Sequence, residues 1–171
     1  MTTEPDLPEA NPTKDAEPVA PPTPRLGLRE HIRPVVDTEA ELAKACAEIA
    51  LGEGPIALDA ERASGYRYSQ RAYLVQIRRE GAGTWMVDPA ACDDRHERGD
   101  AFGDAEWILH AATQDLPCLA EVGLRPPSLF DTELAGRLLN LPKVGLASLV
   151  EHYLSMSLAK EYSAADWSTR P

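Results

Sequence analysis

The order of short apolar runs and helix-length segments restricts this chain more than any single residue does. Pro55-Ile56-Ala57-Leu58 reads as a short buried strand. A second strand is expected over 72–78, and Glu80-Gly81-Ala82-Gly83 turns it into a third at 84–87, closed by Asp88-Pro89. Later elements alternate: strands at 107–110 and 128–130, helices at about 114–122, 132–140 and 146–154, and a helix or irregular segment near 90–103. Upstream, Thr38-Glu39-Ala40-Glu41 is a capping box that starts a helix running to about Leu51, with Gly52 ending it. A three-strand meander followed by strand–helix alternation describes an α/β fold built on a mixed sheet.

The first strand carries chemistry. Asp59-Ala60-Glu61 places two carboxylates at i and i+2 of an extended backbone, so both point to one face. Like charges held that close repel and raise each other's pKa unless a cation lies between them. Hard oxygen ligands at this spacing suit Mg²⁺ or Mn²⁺, although a solvated strand end has the same pattern.

The net charge is −11, which excludes a protein coated in basic residues. The distribution says more. Between Arg62 and Arg79 lie five arginines (62, 67, 71, 78 and 79) and no acid, with Tyr66, Tyr68 and Tyr73 interleaved. Arginines neutralise backbone phosphates and aromatic faces stack on bases. A hairpin whose arginines merely face water would look the same. Residues 1–24 hold seven prolines and no aromatic, so residues 1–34 are expected to form a disordered Pro- and acid-rich tail. No apolar run suits a signal peptide or a membrane span. Cys46, Cys92 and Cys118 are scattered without a Cys-x-x-Cys, which points to a reduced, cytoplasmic setting without structural zinc.

Further segments join the first. They are His110-Ala111-Ala112-Thr113-Gln114-Asp115-Leu116, Phe130-Asp131-Thr132-Glu133-Leu134-Ala135, Asp166-Trp167-Ser168-Thr169-Arg170-Pro171 and Leu74-Val75-Gln76-Ile77. With Leu58-Asp59-Ala60-Glu61, and in this order, the chain over about 35–171 resembles the ribonuclease D family of the DEDD exonuclease superfamily. The resemblance implies a ribonuclease H-like mixed sheet flanked by helices, and removal of nucleotides from RNA 3′ ends by two divalent ions, Mg²⁺ or Mn²⁺. It implies Asp59, Glu61 and Asp115 as catalytic metal ligands. Single-stranded RNA 3′ ends, with tRNA precursors foremost, are the implied partner. A DNA-preferring exonuclease and a non-catalytic nucleic-acid-binding fragment are the alternatives.

The family's third motif is a Tyr followed four residues later by an Asp, downstream of the Asp-Trp-Ser-x-Arg-Pro segment. Here that segment ends the sequence, so the expectation is an exonuclease domain over 35–171 that is incomplete at its C-terminus. Such a chain should be weakly active or inactive by itself. Tyr162 and Asp166 have the motif's spacing, but Asp166 belongs by context to the upstream segment. Arg62, Arg67, Arg71, Gln76 and His110 are candidate substrate contacts, with a satisfied structural histidine the other reading of His110. Asp131 reads as a helix N-cap, Asp88 as a turn residue, and Trp85 and Trp107 as core anchors. No Gly-rich phosphate loop and no nucleophile elbow is present.

Overall fold

The computed structural model describes residues 23–27, 30–63, 71–92, 101–159 and 167. Its centre is a five-stranded mixed sheet in the order β3-β2-β1-β4-β5. The strands are β1 (Glu53–Glu61), β2 (Leu74–Glu80), β3 (Gly83–Val87), β4 (Glu106–Leu109) and β5 (Ser128–Asp131). β1 pairs antiparallel with β2 and parallel with β4, and β4 pairs parallel with β5. The meander and the strand–helix alternation read from the sequence are both present. β1 therefore sits where the sheet changes from antiparallel to parallel pairing.

Side-chain alternation in β1 sets the two faces. Ile56, Leu58 and Ala60 are buried, whereas Ala57 and Asp59 are exposed and Glu61 is half-buried. The buried row meets α1 (Glu39–Ala50), whose Leu42, Ala45 and Ile49 lie on one stripe in the same core. Thr38 caps α1 as expected: its Oγ1 accepts from the Glu41 N–H at 3.3 Å, and its hydroxyl reaches the Glu41 carboxylate at 3.0 Å. Trp107 is 1% exposed and meets Phe102 edge-to-face at 5.3 Å between ring centroids. Trp85 is buried too, and its indole N–H donates to the Ala82 carbonyl, so both tryptophans anchor the core.

Three features depart from the sequence reading. Gly52 follows α1 but is not in the left-handed conformation of a helix-ending glycine. A Cβ there would stand 2.8 Å from both the Arg79 Cδ and the Glu80 carbonyl oxygen, so the glycine permits close approach of β2. The helix expected from Gln114 begins later, as α2 (Leu116–Glu121). Ala111 takes a positive φ of 55°, and residues 112–115 form a turn. Pro117 lacks an N–H and fits only the first helical turn, which keeps the helix start near Leu116. Finally, part of the expected N-terminal tail is tied down. The Leu26 N–H donates to the Ser157 carbonyl, and Arg33 pairs with Glu48 at 2.9 Å while stacking on Trp85. Residues 1–22 lie outside the described residues.

Two further helices follow β5: α3 (Thr132–Leu138) and α4 (Leu146–Leu154). No helix among the described residues is long and apolar enough to cross a membrane.

Candidate active site

Parallel strands bring their carboxyl ends to one edge, and ligands of open α/β sheets bind outside such edges. Here that edge collects the end of β1 with Asp59 and Glu61, the loop after β4 with Asp115, and the β5–α3 junction with Asp131. Asp59 and Glu61 project from the face of β1 opposite the core. Gln76 lies directly across from Asp59 on β2, and its Nε2 donates to Asp59 Oδ2 at 3.4 Å, a long and weak bond.

Asp115 stands at the N-cap of α2, where a carboxylate would ordinarily accept a helix N–H. It makes no such bond. The residue is 8% exposed, so its carboxylate is buried without serving the helix beside it. Burial is the largest cause that pushes its pKa up, to about 6; the negative charge of Asp59 adds to this, and Glu61 contributes less. Arg62 opposes the shift. These influences put Asp59, Glu61 and Arg62 in the electrostatic surroundings of Asp115. An acid perturbed by burial and by charged neighbours is a functional-site candidate.

The donor set fits a divalent cation in chemistry: three hard carboxylates, one buried and mutually repelled, with Arg62 as the opposing charge. Among the described residues, no three His, Cys, Asp or Glu side chains are gathered tightly enough to enclose a metal. The acids share one field but form no closed cage, so ion binding requires their side chains to converge further.

The other candidates separate. Arg62 is half-buried, and its charge acts on Asp115. Arg71 instead reaches the Pro89 carbonyl at 3.4 Å and lies over the Tyr73 ring, which anchors the start of β2. Arg67 lies outside the described residues, as do Tyr162 and Asp166 with the motif spacing. His110 Nδ1 is 2.9 Å from the Thr132 hydroxyl, which itself donates to the Leu109 carbonyl at 3.2 Å. Nδ1 of His110 is thus engaged within the fold, as in a structural histidine. Asp88 accepts the N–H groups of Ala90 and Ala91, as a turn residue does. Asp131 caps α3 as expected, but it also bonds the loop after β4, a contact across 20 residues that no local pattern announces.

The profile of the 3′-5′ exonuclease family matches residues 34–171. The chain belongs to the 3′-5′ exonuclease family. Ribonuclease D of Zymomonas mobilis is 36% identical over 146 residues, which cover 82% of this chain and 37% of that protein. A crystal structure of a protein from Bifidobacterium adolescentis is 50% identical with a TM-score of 0.79, covering 84% of this chain and 35% of the other. Escherichia coli RNase D, described as an exoribonuclease involved in structured RNA processing, is 28% identical with a TM-score of 0.71, covering 83% and 38%. The chain thus spans little more than a third of the length of these relatives. The mixed sheet with flanking helices is the fold of these exonuclease structures. Exonucleases of this superfamily generally depend on divalent metal ions.

Proposed function

We propose that this chain carries the carboxylate site of a ribonuclease D-like 3′→5′ exoribonuclease, with Asp59, Glu61 and Asp115 as its metal ligands. The observation that carries the proposal is Asp115: a buried acid at a helix N-cap that leaves the helix uncapped and is repelled by the acids of β1. Bound divalent ions in such sites lower the pKa of a water and neutralise charge on the phosphoryl group. Each residue has a task that its position supports. Asp59 and Glu61 project side by side from one strand face, so they can present oxygens along a single line. Asp115 adds an oxygen from the neighbouring loop. Gln76 reaches the Asp59 carboxylate from across the sheet through a long bond. Arg62, adjoining Glu61 and near Asp115, supplies a positive charge for the backbone phosphate of an entering strand.

The substrate class follows from the relatives that act on RNA. The 3′ ends of single-stranded or structured RNA, tRNA precursors included, are the proposed targets, and Mg²⁺ or Mn²⁺ the proposed ions. The test uses single-stranded RNA labelled at its 5′ end, with its 3′ end free or blocked, incubated with Mn²⁺. The proposal expects slow, weak activity: products that shorten one nucleotide at a time from the free 3′ end, and no shortening with chelator or in Asp59→Asn. Cleavage within a 3′-blocked strand, or shortening that persists unchanged in Asp59→Asn, would overturn it.

A further inference from the structure

Asp131 spends its carboxylate on more than a helix cap. Oδ1 accepts from the Glu133 N–H at 2.8 Å and the Leu134 N–H at 3.3 Å, which suffices to start α3. The same oxygen also accepts from the Ala111 N–H at 3.1 Å, and Oδ2 accepts from the Ala112 N–H at 2.9 Å. Ala111 and Ala112 open the turn that ends at Asp115. The Ala112 carbonyl in turn accepts from the N–H groups of Asp115, at 3.1 Å, and Leu116, at 2.9 Å. One residue thus links the two acids: Asp131 holds the Ala112 N–H, and Asp115 hangs from the Ala112 carbonyl.

A second tie crosses the same gap. The Thr132 hydroxyl bonds the Leu109 carbonyl and His110 Nδ1. Together these bonds hold the turn in a conformation with a left-handed residue at Ala111, which a non-glycine residue adopts only when its surroundings enforce it. A cap that served α3 alone would need neither bond to the preceding loop.

We propose that Asp131 is a positioning residue for the metal site: through the backbone of Ala112 it fixes where the Asp115 carboxylate stands. The inference rests on the reading of Asp115 as a metal ligand. Residues that orient metal ligands from behind alter metal affinity by about 10–100-fold when replaced.

Asp131→Asn separates the two duties of the side chain. Asparagine is as good an N-cap as aspartate, so its amide oxygen can keep the Glu133, Leu134 and Ala111 bonds. Its NH₂ group then faces the Ala112 N–H, donor against donor, and that link breaks. The experiment measures Mn²⁺ affinity by titration and amide exchange by NMR, for the wild-type chain, Asp131→Asn and Asp115→Asn. The expected result is Mn²⁺ affinity about 10–100-fold weaker in Asp131→Asn, with faster exchange at the Asp115 and Leu116 amides and unchanged exchange along α3. Affinity within twofold of wild type, in a folded Asp131→Asn, overturns the proposal whatever the exchange shows. Should that variant fail to fold, Asp131→Ser takes its place, since serine caps the helix but is too short to reach Ala112. Equal Mn²⁺ affinity of wild type and Asp115→Asn would instead refute the metal-site reading itself, and the positioning role with it.

Discussion

Replacing Asp115 with asparagine should make the ion-free protein more stable while removing its capacity to bind metal. The magnitude follows from the structure. The Asp115 pKa is raised from 3.8 to about 6 by burial and by the charges of Asp59 and Glu61. One pKa unit corresponds to about 1.4 kcal/mol, so the shift of roughly two units sets an upper bound near 3 kcal/mol. Asp59 is exposed, and solvent screens its repulsion, which lowers the expected gain to about 1–2 kcal/mol. The sign is fixed by linkage. A raised acid binds more protons in the folded than in the unfolded state between about pH 4 and 6, so its contribution to stability falls as pH rises through that window. Asparagine mimics the protonated form at every pH. Wild type and Asp115→Asn should therefore be equally stable below about pH 4, diverge up to about pH 6, and stay separated above about pH 7. For a chain of this length, 1–2 kcal/mol is a rise in Tm of about 2–8 °C. Thermal denaturation in chelator, across about pH 4–8, measures it. A variant that is less stable than wild type at neutral pH would refute the reasoning, because it would mean that the carboxylate is held by favourable partners.

Three other outcomes follow. Asp59→Asn should raise the stability of the ion-free protein slightly, by relieving repulsion on Asp115, but cost several kcal/mol of phosphoryl charge stabilisation, about 10²-fold or more in rate, in the assay with 5′-labelled RNA. Arg62→Glu should weaken binding of single-stranded RNA and reduce the slope of log affinity against log salt by about 0.7 for each phosphate no longer neutralised; Arg71→Glu should leave the slope alone and lower Tm instead, which filter binding and calorimetry distinguish. Gly52→Ala should cost about 1–3 kcal/mol by urea denaturation, because its new Cβ would press on the Glu80 carbonyl at 2.8 Å.

The sheet was legible in the sequence because alternating burial and turn chemistry are local properties. Ile56, Leu58 and Ala60 announce the core face of β1, and Gly81 and Gly83, both with positive φ, announce the hairpin. The same alternation puts Asp59 and Glu61 together on the opposite face. Asp115 required the family resemblance, since nothing local shows that an N-cap aspartate declines to cap. The roles of Asp131, Arg71 and Gly52 were legible only in part. Each depends on a partner many residues away, so the local pattern gave a cap, a basic stretch and a helix stop. Within the segment read as tail, Arg33 contacts Trp85 and Glu48, partners that no composition rule links to it.

The central claim is that Asp59, Glu61 and Asp115 act as one acid cluster that takes up divalent metal. Carboxyl ¹³C NMR titration of Asp115 tests it most directly, in the wild-type chain with and without Mg²⁺ and in Asp59→Asn. The account predicts a pKa of about 6 in the ion-free protein, a lower value in Asp59→Asn, and a fall with saturating Mg²⁺ to or below the ordinary aspartate value of about 3.9. A titration that neither Mg²⁺ nor the loss of Asp59 displaces would contradict it.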